Sequence, residues 1–300
     1  MTNAGLTVAV TGAAGSLGGK AITALATSGA VRRIIAIDQV PSAHPSFPGC
    51  EVETCLADLC MPNDCWTMAL GSADALFHLA ARNPFPNASW QDARASFDMT
   101  TAVLWAGVSA GVRRLILAFF NNVMGGYKND PLSATISPGG LTEMLPPGPG
   151  TSWHAGGRRM TGTAYAASKL FSESAFLTWA SPSARVICLR IGWRQPGVNH
   201  PDTITADGLL DANSKLGPEQ ERDLRWFRNL WLSDRDFAQI VRLACTASLE
   251  HNTTHGLIVN AMSDNADMAW SLDAARRQLG YRPLDNIWAW LSDASGLPGS

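Results

Sequence analysis

At 300 residues and 46% hydrophobic content the chain can bury a large core, and an α/β chain of this length is often one sheet with an appended lobe. A net charge of −2, with no basic block of five or more residues, gives no electrostatic reason to expect nucleic acid or an anionic membrane as partner. Met1–Gly5 lacks a basic-then-apolar signal layout and the apolar stretch Thr100–Val112 is too short to span a bilayer, so the expectation is a soluble cytoplasmic protein with a small-molecule partner.

Leu6 to Val10 reads as a short buried strand, and Gly19 to Ser28 continues a helical spacing of Leu17, Ile22 and Leu25. Between them lies Thr11-Gly12-Ala13-Ala14-Gly15-Ser16-Leu17-Gly18. Strand, glycine turn and helix together set backbone N–H groups at a helix N-terminus, where the dipole favours an anion such as a pyrophosphate. Glycine permits the tight turn, the close approach of phosphate and the packing of helix on strand. Asp38 ends the next apolar run, Ile34 to Ile37, and lies 20 residues after Gly18. That is where an acidic residue meets the adenosine ribose in dinucleotide folds, so a nucleotide site is expected here.

A Pro-rich loop, Pro41 to Pro48, leads to a third strand over Val52 to Leu56. Asp58, just past it, either accepts from an adenine amino group or caps the segment after Pro62, and the sequence leaves both open. Cys50, Cys55, Cys60 and Cys65 fall five residues apart, a spacing unlike zinc pairs, and read as reduced thiols with no metal. Ala75 to Leu79 is a fourth strand, in which His78 reads as a packed residue. The small Ala80 and Ala81 at its carboxyl end leave room for a cofactor.

Ala93 to Ala110 is helical and stops at Gly111, and Arg114 to Phe120 is a fifth strand. This alternation predicts a Rossmann-type α/β fold with a doubly wound parallel sheet. Pro131 to Arg159 reads as a long functional loop, Thr163 to Ala180 as a helix and Arg185 to Ile191 as a sixth strand. Trp193 to Asn229 reads as polar and irregular. Ser233 caps a helix to Leu249, Leu257 to Asn260 is a last strand, and Ser271 to Leu279 is a late helix ended by Gly280.

Tyr165 and Lys169 stand four apart, on one face of the Thr163–Ala180 helix. A phenol near pKa 10 is a poor base at neutral pH, and half ionisation at pH 7 needs about three units, or roughly 4 kcal/mol of differential interaction. An adjacent ammonium and a positively charged nicotinamide both act in that direction, which makes this the candidate proton-transfer pair.

Thr11–Gly18, Asp58-Leu59, His78-Leu79-Ala80-Ala81, Tyr165-xxx-Lys169 and Leu279-Gly280-Tyr281-Arg282-Pro283, in that order, resemble the extended short-chain dehydrogenase/reductase family, also called the NAD-dependent epimerase/dehydratase family. Asn121–Tyr127, Leu189–Trp193 and Trp231–Phe237 look most similar to uronate dehydrogenase-like members. The resemblance implies NAD as cofactor, with Tyr165 as general acid/base and Lys169 on the nicotinamide ribose. It further implies Gly12, Gly15, Ser16, Leu17 and Gly18 at the pyrophosphate, and Asp38 at the adenosine ribose. Asp58, Leu59, Leu79, Ala80, Ala81 and Ile191 would complete the cofactor contacts. Asp38 would repel a 2′-phosphate, and Arg32 and Arg33 lie at the wrong end of the strand to offset it.

Two departures stand out. Phe119-Phe120 replaces a Ser-Ser pair, with Phe120 at the hydroxyl that would bond the reacting oxygen, a loss worth about 10²–10³ in rate. Asn121 is taken as the catalytic substitute, with Asn122 and Thr163 as alternatives. In the substrate lobe Trp193 replaces a serine, and Asn122, Trp193 and Arg194 are the expected substrate contacts. The expected division is a core over 1–192 plus 231–260 and a small C-terminal substrate lobe over 193–230 plus 261–300, in one structural unit. The expected activity is NAD-dependent hydride transfer to or from a hydroxyl or carbonyl of a small polar substrate, a sugar or sugar acid. The alternatives are an epimerase or dehydratase that recycles its NAD, and an NAD-binding sensor weakened by Phe120. By resemblance, Ala93–Ala110 and Thr163–Ala180 would form a homodimer interface.

Overall fold

Seven apolar runs pair in parallel into one sheet: β1 (Leu6–Thr11), β2 (Val31–Asp38), β3 (Glu51–Leu56), β4 (Ala75–His78), β5 (Arg114–Phe120), β8 (Arg185–Ile191) and β9 (Gly256–Ala261). The spatial order is β3-β2-β1-β4-β5-β8-β9. The computed structural model describes residues 5–61, 64–82, 88–155, 158–195, 197–204, 216–249 and 256–295. Of the expected substrate lobe, residues 196, 205–215 and 296–300 lie outside the described residues. Helices cover both faces, so the central strands are apolar throughout rather than alternating; Val8, Ala9, Val10, Ile34, Ile35 and Leu76 are all 1% exposed or less.

The chain winds outward from β1 to β3 and then crosses back to begin again at β4. That reversal opens a crevice at the carboxyl ends of β1 and β4, the place where an open α/β sheet accepts a ligand. Between these strands run α1 (Ser16–Ala26), α2 (Asp64–Leu70), α3 (Trp90–Ser109) and α4 (Thr163–Thr178). The seven strands and α1, α3 and α4 lie where the sequence predicts them, to within three residues. The start of α3 is set by Ser89, whose hydroxyl accepts from the Asp92 amide while the Asp92 carboxylate accepts from the Ser89 amide. Gly111, which follows α3, has φ 76°, the left-handed turn that glycine supplies at a helix end.

Two expectations fail. The stretch expected as loop over Pro131–Arg159 contains β6 (Ser152–Ala155), which pairs antiparallel with β7 (Arg158–Thr161) in a two-stranded hairpin. The stretch expected as irregular over Trp193–Asn229 contains α5 (Pro218–Asn229). Its signals are helical: Pro218 in the first turn, Glu219 and Glu221 beside it, and Arg228 in the last turn. A largely polar composition obscured them, because only one narrow face, including Trp226 and Phe227, is buried.

The C-terminal elements are α6 (Asp234–Thr246), α7 (Asp273–Leu279) and α8 (Ile287–Ser295). Ser233 caps α6 by accepting from the Asp236 amide at 3.0 Å. Asp236 is fully buried and its carboxylate accepts from Ser263 Oγ, the Leu284 amide and the Asp285 amide. One carboxylate thereby ties the start of α6 to the end of β9 and to the segment before α8. Tyr281 donates from its hydroxyl to the Met262 carbonyl at 2.8 Å. Two buried ion pairs fix further elements: Lys128 to Asp223 on α5 at 2.6 Å, and Arg190 on β8 to Glu173 on α4 through two bonds of 2.8 and 2.7 Å. Buried pairs of this kind set position more than they add stability.

Candidate active site

The glycine loop leaves β1 at Thr11 and enters α1 at Ser16. Gly12 has φ 71°, and a Cβ there would lie 2.9 Å from the Ala80 amide nitrogen, so the loop rests directly on the end of β4. A Cβ on Gly18 would lie 2.0 Å from the Gly12 carbonyl oxygen, so α1 packs against the loop's own backbone. No side chain caps α1 and no acidic residue stands in its first turn, which leaves a helix N-terminus suited to an anion. Asp38 at the end of β2 accepts from the Ala14 amide at 3.0 Å and from the Val40 amide at 3.1 Å. Its carboxylate thus holds the loop while bordering the crevice. This cradle, bare of side chains at the phosphate turn and acidic at the ribose position, fits a dinucleotide.

The crevice has a volume of about 840 Å³. Gly12, Gly15, Ser16, Leu17 and Gly18 line one wall together with Asp38. Asp58, Leu59, Leu79, Ala80 and Ala81 line the same end, and Asp58 shapes its own turn by accepting from the Cys60 amide at 2.9 Å. Tyr165, Lys169, Ile191, Trp193 and Arg194 line the other end, with Phe120 among them. Gln39, Arg82, Met99 and Gln195 also line it and escaped the sequence reading. Gln39 was signalled only by its place next to Asp38; the others carry no local pattern.

His78 at the end of β4 is wholly buried and does not face the crevice chemistry. Thr100 donates its hydroxyl to the Ser96 carbonyl, so His78 Nε2 must donate to Thr100 Oγ1 at 3.0 Å. Its Nδ1 then accepts from Thr11 Oγ1 at 2.7 Å, and Thr11 in turn receives the Leu79 and Ala80 amides. Burial lowers the imidazole pKa to about 3, with the Lys169 charge adding to the effect, so the ring stays neutral and sets the β1–β4 junction.

Tyr165 and Lys169, on α4, are 5% and 2% exposed, and the ammonium stands 5.6 Å from the centre of the phenol ring. Burial raises the Tyr165 pKa above its ordinary value, while a hydrogen bond from the Phe120 backbone opposes the rise. β4 ends at His78, opposite Leu117, so β5 runs past it and its last residues pair only with β8. The Phe120 backbone is therefore free of β4 and reaches the phenol. Burial also lowers the Lys169 pKa, to about 8. The pair can hold and move a proton in a site where charge is expensive.

Asn121, expected to replace the missing hydroxyl, is turned away from the crevice. Its side-chain Nδ2 donates to Asn260 Oδ1 at 3.0 Å, and Asn260 in turn donates to the Leu141 and Ser271 carbonyls. Asn121 lies just past the end of β5, where the backbone turns (φ −73°, ψ 40°), and its amide is directed to Asn260 on β9. Asn122, expected as a substrate contact, is also buried and does not line the cavity; its carbonyl accepts from the Gly150 amide. Thr163 pairs with Thr161 through their hydroxyls at 2.7 Å, likewise outside the lining. Arg194 does line the crevice, but its guanidinium is held by Asp234, with Nε at 2.8 Å, and lies over Phe237. Lys20 meets the same carboxylate. Trp193 packs edge-on to Phe120 with ring centres 4.9 Å apart, and Phe227 stands behind it at 6.0 Å.

A sequence model of the NAD dependent epimerase/dehydratase family matches residues 8–192. An L-arabinose 1-dehydrogenase (NAD(P)(+)) of Haloferax volcanii is 31% identical over 287 residues, covering 93% of this chain and 96% of the relative. Among solved structures, the glucuronic acid dehydrogenase from Chromohalobacter salexigens superposes with a TM-score of 0.65 at 19% identity, over 98% of this chain and 90% of that one. The uronate dehydrogenase from Agrobacterium tumefaciens gives 0.61 at 18% identity, over 98% and 90%. These two likenesses bear on the fold.

Proposed function

The chain belongs to the NAD-dependent epimerase/dehydratase family, and on that premise we propose that it is an NAD-dependent oxidoreductase acting on a hydroxyl or carbonyl of a small neutral sugar. The observation that carries this reading is the burial of Tyr165 and Lys169 in the same crevice as the glycine loop and Asp38. When bound, NAD supplies the hydride acceptor or, reduced, the hydride donor. The loop amides and the first turn of α1 hold its diphosphate, Asp38 its adenosine ribose and Lys169 its nicotinamide ribose. Tyr165 takes the proton of the substrate hydroxyl in the oxidative direction and returns it in the reductive one. Lys169 is charged below about pH 8 and would favour the phenolate against the burial that raises the Tyr165 pKa. NAD is favoured over NADP because Asp38 faces the ribose position, while Arg32 and Arg33 are engaged by the Gly5 carbonyl and Glu53 at the far end of β2.

Three observations favour a neutral sugar over a sugar acid. Arg194 is already engaged by Asp234, a carboxylate it shares with Lys20. Phe120 and Trp193 present an aromatic wall on which the C–H face of a sugar ring stacks and against which a carboxylate gains nothing. The 31% identical relative is named for L-arabinose. The substrate would lie between the core, 1–192 with 231–260, and the lobe, 193–230 with 261–300. The test is NADH formation by the purified protein with a panel of neutral aldoses and uronic acids, each offered with NAD and with NADP. Turnover of aldoses with NAD is expected. Preference for uronic acids would overturn the substrate class, and NAD that co-purifies without net turnover would favour a recycling epimerase.

The same reading includes a homodimer in the cytoplasm. Its support is the exposed aromatic face of α3 and α4, where Trp105 and Phe171 are each 60% exposed and Trp105 meets Trp179 edge-on at 5.3 Å. A solution mass of two chains, reduced to one by Trp105→Arg, is the expected result.

A further inference from the structure

We propose that Cys55 and Cys65 form a reversible disulfide staple, closed by a peroxide and reopened by thiols, that clasps the turn at the adenosine end of the crevice. The inference rests on the thiols alone and is independent of the substrate reading above. Cys55 sits on β3, at the edge of the sheet, and Cys65 in the first turn of α2. Their sulfurs are 3.1 Å apart. A disulfide requires about 2.05 Å, so the bond closes with roughly 1 Å of movement.

The two thiols differ in a way that assigns their roles. Cys65 is exposed and meets an oxidant first, whereas Cys55 is 7% exposed. Burial, reinforced by the neighbouring sulfur, pushes the Cys55 thiol to about 12, so it stays protonated and the exposed Cys65 is the sulfur that reacts first. The Cys65 thiolate attacks one oxygen of hydrogen peroxide, the O–O bond breaks, and the departing hydroxide takes the former Cys65 proton to leave as water. The Cys55 sulfur then displaces hydroxide from the Cys65 sulfenic acid. An S–S bond forms, the S–O bond breaks, and the Cys55 proton completes a second water. Two thiols are oxidised and one peroxide is reduced to two waters.

Between the two cysteines lies the turn Ala57–Cys60, which lines the crevice and is held by the Asp58 carboxylate on the Cys60 amide. Because the sulfurs already touch, closing the bond leaves this turn in place. The disulfide therefore stabilises the adenosine end without shutting it. Cys60 is the rival partner, being exposed within the same turn.

Treatment of the whole protein with a slight excess of hydrogen peroxide, followed by thiol titration and peptide mass spectrometry, tests this. Titratable thiols should fall by two from six, with a Cys55–Cys65 peptide lighter by two hydrogens and released by dithiothreitol. The thermal midpoint should rise by about 5 °C, as closure of a short loop in a chain of this size predicts. Cys65→Ser and Cys55→Ser should each abolish both effects, and Cys60→Ser should retain them; Cys65, exposed, serves if Cys55→Ser fails to fold. A link mapped to Cys60, thiol loss that persists in Cys65→Ser, or a link with no rise in midpoint would overturn the staple.

Discussion

The two ends of the crevice are built from different material. The end lined by the glycine loop is built largely of backbone and short spacing: the loop itself, one carboxylate at the end of β2, and small residues at the end of β4. The end lined by Tyr165 and Lys169 is mostly side chains, brought together from β5, α4 and the segment after β8. The first end tolerates little because its atoms are already at contact. The second, made of side chains, has room for the edge-on pair of Phe120 and Trp193.

The largest effect that would sharpen this contrast belongs to Tyr165→Phe. Removing the transferable proton should lower kcat by roughly 10²–10⁴, with NAD affinity by tryptophan quenching changed less than about twofold. Substantial turnover in that variant would remove Tyr165 from its role.

Next comes the charge buried at the substrate end. The Lys169 pKa is about 8 in the fold and near 10.4 in an unfolded chain, so between those values the unfolded state binds more protons and stability rises with pH. Below pH 8 the full penalty applies, roughly 3 kcal/mol. Lys169→Met should therefore be the more stable protein at pH 7 by denaturant titration, with its advantage shrinking steadily towards pH 10, and should be poorly active throughout. An advantage independent of pH would show that the ammonium is not desolvated.

At the other end, Gly18→Ala must displace backbone, because the new Cβ would sit 2.0 Å from the Gly12 oxygen. Overpacking of this kind costs about 1–3 kcal/mol, or roughly 5- to 150-fold in NAD affinity if the loop absorbs it. Calorimetric titration with NAD measures it, and unchanged binding would show that the loop yields more easily than its contacts imply.

The smallest effect is expected for Phe120→Ser. Loss of the edge-on contact with Trp193 removes about 0.5–1.5 kcal/mol of ring pairing, so the sugar KM should rise severalfold. If kcat instead climbs, the missing hydroxyl is a true handicap and the aromatic wall is not a substrate surface.

Legibility followed the same division. Gly12, Gly15, Gly18 and Asp38 were readable as one wall of the crevice because a glycine turn and the next strand's end are set by spacing within one βαβ unit. Tyr165 and Lys169 were readable because four residues is one helical turn. Asn121 was misread, since its amide, just past the end of β5, is bound by Asn260, 139 residues away. Arg194 was read as available for substrate, and only Asp234, 40 residues on, shows it engaged. The hairpin of β6 and β7 and the helix α5 were hidden by polar, Pro- and Gly-rich composition.

By itself, then, the sequence determined the strands of the parallel sheet, the glycine loop after β1, the carboxylate at the end of β2 and the tyrosine–lysine pair on one helix face, because each depends on a period or spacing of 20 residues or fewer. The tertiary structure alone decided which of two adjacent side chains faces the crevice, which arginine is already spent on a carboxylate, and which two of four evenly spaced cysteines touch. The first two outcomes depend on partners 139 and 40 residues along the chain, and the third, though only ten residues apart, on how α2 packs against β3; no local pattern encodes a partner that only packing supplies.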